Sequence, residues 1–491
     1  MLVACGGHAA GAESATASRA AGAIPASVPG GDWLRFDYDA QRSGVGPAGT
    51  GITSGDLGSL STRVIGLPGV AVSSAVEVGG VAAGGRARDL IVLTTTYGKS
   101  LAIDPGTGAT LWQYVPGDIG TYEGSSQITT ASPIVDPSRR YVYVATPNGR
   151  VHKLVLASGR EVRSGHWPIL VTFNPAREKI AAALNISRRS LIVVTGGYYG
   201  DAPPYQGHVV MADLASGHIT HVWNSLCSNR HFLIHPSTCP ASASAIWGRA
   251  GAVVEPGSGR ILVSTGNGPF NGSTNWGDSV LELSRDAARL LHNWTPPNQA
   301  QLESGDTDVG STDPAILPRQ GGYRMAVQGG KDARLHVLNL TRLNGTRGGA
   351  GPRKGGELSE TSSPGGGEVL TAPAVWSNHG RTYVFVADNS GTAAYTVRTG
   401  GRPRLVTIWQ NGSAGTSPVL AGGLLYVYDD QAGALKIYAP STGRLLRSLA
   451  AAAGHWSSPI VVGGRIILPT GGSTANNARS SRLFIYHLPG R

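Results

Sequence analysis

The 491-residue chain has no uninterrupted apolar run of the roughly 18 residues that a membrane-crossing helix needs, so nothing in it reads as a transmembrane segment. It has only three cysteines and no Cys-x-x-Cys-His, which excludes covalent haem attachment. The glycine clusters Gly196-Gly197 and Gly365-Gly366-Gly367 are not followed by Lys-Ser/Thr, so they are not phosphate loops. Charged residues make up only 14 % of the chain, and lysine is scarce beside arginine. The formal net charge of +11 comes from residues scattered through turns, among them Arg86, Arg88, Arg139, Arg140, Arg188 and Arg189. A nucleic-acid interface needs such charges gathered on one face, so the excess reads as a solvated basic surface and no nucleic-acid partner is expected. The histidines are dispersed. His231 and His235 lie four apart, but Pro236 argues against the helix that would make them a metal pair.

Glycine is abundant, at 71 residues, and it punctuates a line that keeps returning. Small-small-Pro-apolar is followed by an alternating apolar run, a glycine turn, a second run and Ser/Thr-Gly. The copies open at Ala131-Ser132-Pro133, Thr371-Ala372-Pro373, Thr416-Ser417-Pro418 and Ser457-Ser458-Pro459. Period-2 alternation recurring every 40–50 residues, roughly, is the mark of propeller blades. The spacing predicts an all-β, eight-bladed ring with blades near 70–115, 125–165, 168–225, 244–296, 308–346, 367–410, 412–450 and 455–488. Closure needs a strand from the opposite terminus, and Leu60–Gly66 is expected to supply it beside Arg482–Leu488, removing the free sheet edges. Trp112, Trp223, Trp294 and Trp409 recur at the close of repeats and are expected to wedge between neighbouring sheets.

Residues 1–31 are rich in Ala, Gly and Ser and read as a residual leader and flexible tether before a folded domain over 32–491. Leu2-Val3-Ala4-Cys5 resembles a bacterial lipobox, which makes Cys5 a candidate lipidated residue and the lipid the only expected membrane attachment. Cys227 and Cys239 bound a short loop-like segment and are expected to pair as a disulfide in an oxidising compartment. Together these features place the chain outside the cytoplasm, at the cell surface or in the periplasm.

The half-repeat Ala102-x-Asp104-x-x-Thr107-Gly108-x-x-x-Trp112 resembles the tryptophan-docking repeat of the pyrroloquinoline quinone (PQQ) propellers, and Asp32-Trp33 through Leu60 is similar to the start of quinoprotein alcohol dehydrogenases. The family implies two different uses of one ring: PQQ enzymes, and cofactor-free scaffolds such as an outer-membrane assembly lipoprotein. By resemblance, Trp247 in Ala245-Ile246-Trp247-Gly248 is the floor on which PQQ stacks. Asn267 in Thr265-Gly266-Asn267 supplies a calcium oxygen. Asp306 of Asp306-Thr307-Asp308 is the catalytic base and a metal neighbour, and Lys331 of Gly330-Lys331-Asp332 faces the quinone. Asp201 stands, at an imperfect offset, where the family has its calcium-binding Glu.

These residue types suit the chemistry. A hard cation takes oxygen ligands, an alcohol needs a base, and a tricarboxylate needs basic partners. The departures are equally plain. The family's adjacent cysteine pair is replaced by Gly124-Ser125-Ser126-Gln127, and the tryptophan before its catalytic Asp is missing. Two readings follow. One is a non-catalytic binding scaffold of the cell envelope, without cofactor, whose partner is an envelope protein or polymer. The other is a PQQ- and calcium-dependent dehydrogenase of an alcohol or sugar.

Overall fold

A computed structural model describes residues 31–344, 354–472 and 481–490. Cys5 and the leader through residue 30 lie outside the described residues. Eight four-stranded antiparallel sheets are arranged as blades over 76–114, 134–170, 185–224, 253–294, 315–362, 374–411, 419–450 and 460–487. The last is completed by Ser61–Leu67, which pairs antiparallel with Ser481–His487 in the register Ser61↔His487 to Leu67↔Ser481. The eight-bladed ring and its closing strand are thus as expected, with the strand bounds shifted by one residue. A small extra ladder, Glu178–Lys179 against Gly196–Gly197, sits in the third blade.

The docking of the repeat tryptophans shows why the Ser/Thr-Gly step is kept. Trp112 of blade one donates its indole N–H to Leu156 O of blade two at 2.8 Å, and Trp409 of blade six donates to Pro440 O of blade seven at 2.7 Å. Each ring lies against a glycine, Gly159 or Gly443, with φ near +70°. A Cβ there would stand 2.5 Å from indole carbons. The glycine therefore serves both the left-handed turn and the close ring contact. Trp223 and Trp294 are fully buried too, but the Trp294 indole N–H donates to a Glu357 carboxylate oxygen at 2.9 Å.

The repeat pattern gave no warning of the segment 33–52, which is laid across the ring at the level of the innermost strands. Trp33 and Glu77 of blade one exchange two backbone hydrogen bonds of 2.9 Å. Leu34, Ala40, Ser43, Gly44 and Thr50 carbonyls accept from Val135, Val254, Val375, Leu420 and Gly464, in blades two, four, six, seven and eight. Arg35 reaches Asn185 in blade three at 3.0 Å. Arg42 is the pin of this clasp. It is buried and donates to Phe36 O (2.6 Å), Leu184 O (2.8 Å), Ala250 O (3.1 Å) and Ala183 O (3.3 Å).

Candidate functional site at the channel mouth

Trp247, Asn267, Asp306, Lys331 and Asp201, the residues matched to the cofactor site, all lie on loops between strands. Trp247 lies between blades three and four, Asn267 in a hairpin of blade four, Asp306 after the short helix Gln299–Ser304, and Lys331 in the hairpin between Met325–Gly329 and Arg334–Asn339. Trp247 faces the channel, where it meets Trp456 from the far side of the ring, with centroids 6.5 Å apart and planes tilted by 40°. The Lys331 ammonium stands 5.6 Å over the Trp247 ring.

The carboxylate at the centre is Asp308. Its Oδ2 lies 2.5 Å from Lys331 Nζ, while its Oδ1 accepts the Asn267 backbone N–H at 2.8 Å and lies 3.5 Å from the Trp247 indole nitrogen. Asp306, the residue matched to the base by resemblance, is exposed and meets Lys331 at 3.3 Å from the outside. Burial works against the Lys331 charge, but Asp308, together with Asp306, outweighs it and holds its pKa above the usual lysine value. Asp201 is exposed and accepts the Tyr205 hydroxyl at 2.7 Å, within electrostatic reach of Lys331.

The Asn267 side chain donates to Leu302 O at 3.0 Å and lies 3.3 Å from both Asp278 oxygens, leaving its own Oδ1 buried without a partner. Burial pushes the Asp278 carboxyl up to about 8. Asn267 Oδ1 is therefore a buried oxygen free to meet a hard cation. Among the described residues no group of three or more His, Cys, Asp or Glu side chains is arranged to hold a metal.

The Trp247 indole has close neighbours of its own in Trp456 and Lys331. Stacked rings sit about 4.5–7 Å apart, so a flat ring between two indoles needs at least about 9 Å between them, and Trp247 and Trp456 are at 6.5 Å. Lys331 stands over the same indole. The segment matched to the cysteine pair forms no second wall: Ser125 Oγ donates to Tyr122 O and Gln127 Nε2 to Pro147 O, and Gly124–Ser126 are exposed.

Sequence reasoning missed Trp456, Arg249, Lys179 and the central part of Asp308. Trp456 directly precedes the Ser457-Ser458-Pro459 repeat start, and Arg249 follows Trp247-Gly248, so proximity to those motifs was the only available signal. Away from the channel, Cys227 and Cys239 form the expected disulfide, with Cα atoms 6.1 Å apart. Asn224 ties that loop back to blade three by donating to Arg230 O at 2.6 Å and Phe232 O at 3.1 Å.

The family model described as "Outer membrane protein assembly factor BamB" matches residues 68–225, which hold blades one to three. No curated protein matches the chain. Among solved structures, the quinohemoprotein alcohol dehydrogenase of Comamonas testosteroni is 15 % identical, with TM-score 0.66 over 94 % of this chain and 81 % of that one. A europium-containing methanol dehydrogenase is 13 % identical, with TM-score 0.68 over 93 % and 98 %. BamB from Moraxella catarrhalis is 13 % identical, with TM-score 0.52 over 88 % and 98 %. At these identities the likeness is one of fold. The PQQ-like repeat is thus matched in the first three blades, and the whole ring shares the eight-bladed fold of these propellers.

Proposed function

We propose that this chain is a non-catalytic binding propeller of the cell envelope whose partner is an envelope protein or polymer. The observation that carries the reading is Trp456. The loop before the last blade brings this indole to 6.5 Å from Trp247, which supports a mouth filled by side chains in place of a cofactor. The match of blades one to three to an outer-membrane assembly factor supports a protein partner. The Cys227–Cys239 disulfide supports an oxidising compartment. In this reading 32–491 is the folded ring, 1–31 its tether, and Cys5 its lipid-bearing residue. A Cys5→Ser variant made from a reading frame with a full leader then loses membrane association.

The decisive experiment is calorimetry with PQQ and calcium on the purified protein. No binding is expected. Saturable, calcium-dependent binding that is lost in Trp247→Ala would replace this reading with the second one, a dehydrogenase of an alcohol or sugar. That second reading has a specific observation in its favour, the unpartnered Asn267 oxygen beside Asp308 and Lys331. In it Asn267, Asp306 and Asp201 serve calcium, Trp247 and Lys331 face the cofactor, and Asp306 is the base.

A further inference from the structure

One amine at the channel mouth takes no part in the resemblance. The chain has six lysines, and five of them have an acceptor for their ammonium. Lys99 meets Glu123 at 2.8 Å, Lys153 donates to Leu214 O at 2.7 Å, Lys331 meets Asp308 at 2.5 Å, Lys354 donates to Gln299 Oε1 at 3.4 Å and Lys436 meets Asp429 at 2.7 Å. Lys179 has no acceptor among the described residues, and only 8 % of it is exposed.

Its surroundings explain why. Lys179 belongs to the two-residue strand Glu178–Lys179, in which neighbouring side chains point to opposite faces. Glu178 is turned to His208, 3.3 Å away, and leaves Lys179 without a carboxylate. The cross-strand partner of Lys179 is Gly196, which has no side chain to cover the amine. The ammonium lies 5.6 Å from the Trp456 ring centre, and the Arg249 guanidinium lies 5.4 Å from the same centre. Arg249 cannot withdraw, because it is buried and donates to Thr130 O and Ala181 O at 3.2 Å and to Val72 O at 3.3 Å. Asp37 and Asp313 act on Arg249, and His455, stacked on Trp456, lies 3.8 Å from Asp430.

A desolvated amine beside a fixed cation favours its neutral form, which is the nucleophilic one. Burial, and then Arg249, lower the Lys179 pKa to about 7. About half of such an amine is free at pH 7, against less than about 0.1 % of an ordinary lysine. A reaction that leaves this nitrogen neutral also removes one of two cations from a single indole.

We propose that Lys179 is a covalent attachment site for a small aldehyde, which its amine captures as an imine. The ammonium first gives a proton to water. The nitrogen lone pair then attacks the carbonyl carbon, and the carbonyl oxygen becomes a hydroxyl by taking a proton from nitrogen. That hydroxyl leaves as water with the last nitrogen proton. One C=O bond is exchanged for one C=N bond, and nothing is oxidised or reduced. The Trp456 indole gives the captured carbon chain an apolar wall. The site goes beyond the binding reading of the ring and uses none of the residues matched to the quinone cradle.

The test is reductive trapping on the whole protein, with propanal or benzaldehyde and cyanoborohydride at pH 7, followed by peptide mass mapping. Lys179 is expected to be alkylated at least tenfold faster than any of the other five lysines. Its rate should level off above about pH 7, while theirs keep rising toward about pH 10. Without hydride, calorimetry should show saturable binding of the aldehyde and none of the matching alcohol. Lys179→Arg, which keeps the charge, should abolish that binding. Arg249→Gln is expected to slow trapping at pH 7 several-fold, by returning the amine toward its ordinary pKa. Thermal unfolding of each variant separates loss of reactivity from loss of fold.

The proposal is overturned if Lys179 is trapped no faster than Lys99, if its rate follows pH as theirs does, or if aldehyde binding survives Lys179→Arg. Modification of Lys179 only in denaturant also overturns it, because the amine is then sealed from any ligand.

Discussion

The two sides of the channel mouth are built on opposite principles. On the side of blades three to five, Asp306 and Asp308 pair with one lysine, Asp201 lies within its electrostatic reach, and Asn267 keeps a buried oxygen without a partner beside Asp278. On the axis and toward blade eight, Lys179 and Arg249 share one indole with no carboxylate in contact. A calcium–quinone site needs metal oxygens, a bare aromatic floor and cationic partners in one place. Here the oxygens and the unpaired cations are on different sides, and two indoles stand between them. The contrast teaches that motif order along the chain does not by itself fix how charge is distributed around a channel.

The strongest way to break the comparison is to remove the base on which both sides rest. Arg42→Ala strips four carbonyls of their buried donor and takes from Asp37 the larger of its two arginine partners. Loss of one partner from such a buried network is expected to cost about 3–5 kcal/mol, read from denaturant unfolding. Smaller unfolding losses would mean that the clasp is not needed to hold the ring.

Lys331→Met tests the acidic side by itself. It leaves Asp308 largely buried without its 2.5 Å partner and is expected to destabilise by roughly 2–3 kcal/mol. Adding Asp308→Asn should recover much of that loss. A double-mutant cycle with no coupling would show that the pair is not a unit.

The two sides should also answer pH in opposite directions. The folded-state pKa of Asp278 is raised to about 8, so the folded protein holds a proton that the unfolded chain releases near 4. Its contribution to stability is present at low pH and is lost as pH rises between about 4 and 8. Lys179 is lowered to about 7. Its burial penalty is felt below that value and is relieved as pH rises from about 7 toward 10.5. Asp278→Asn is expected to flatten the first slope and Lys179→Met the second, each by up to about 1.4 kcal/mol per pH unit. Unfolding at a series of pH values measures both, and a slope of the other sign for either variant would reverse the assignment of charge to that side.

The smallest effect is expected from the exposed pair Arg334–Glu360, at 3.5 Å. Arg334→Gln should change stability by less than about 0.5 kcal/mol, as half-solvated ion pairs do. A larger change would mean that the ring's outer surface, and not only its mouth, carries electrostatic stability.

What the sequence revealed and what it hid divide along the same line. Blades were legible because each is local: alternation, a glycine turn and a Trp-docking step all fall within one repeat, as at Ala102–Trp112. The closing strand was legible because a ring demands one. The channel was not, because its contacts join residues from opposite sides of the ring. Trp456 meets Trp247 only once blades four and eight face each other, and no spacing along the chain foretells that. Asp308 was passed over for Asp306 because motif order ranks the first carboxylate, whereas the backbone turns the second one inward. The clasp had no repeat to betray it, since Arg42 bonds almost wholly to backbone carbonyls, which leave no trace in side-chain pattern.

The closing strand bears on how the protein is made. Ser61–Leu67 leaves the ribosome long before Ser481–His487, its sheet partner among the described residues. The clasp at 33–52 waits in the same way for blades six to eight. Each blade can form its own hairpins as it emerges, but the ring cannot be sealed until Ser481–His487 has emerged. Throughout that interval a bare strand edge is offered to every neighbouring chain. Unless a holding factor or the chain's own next blade covers it, the growing protein is most vulnerable at its beginning, and a truncation near residue 480 should aggregate although seven of its blades are intact.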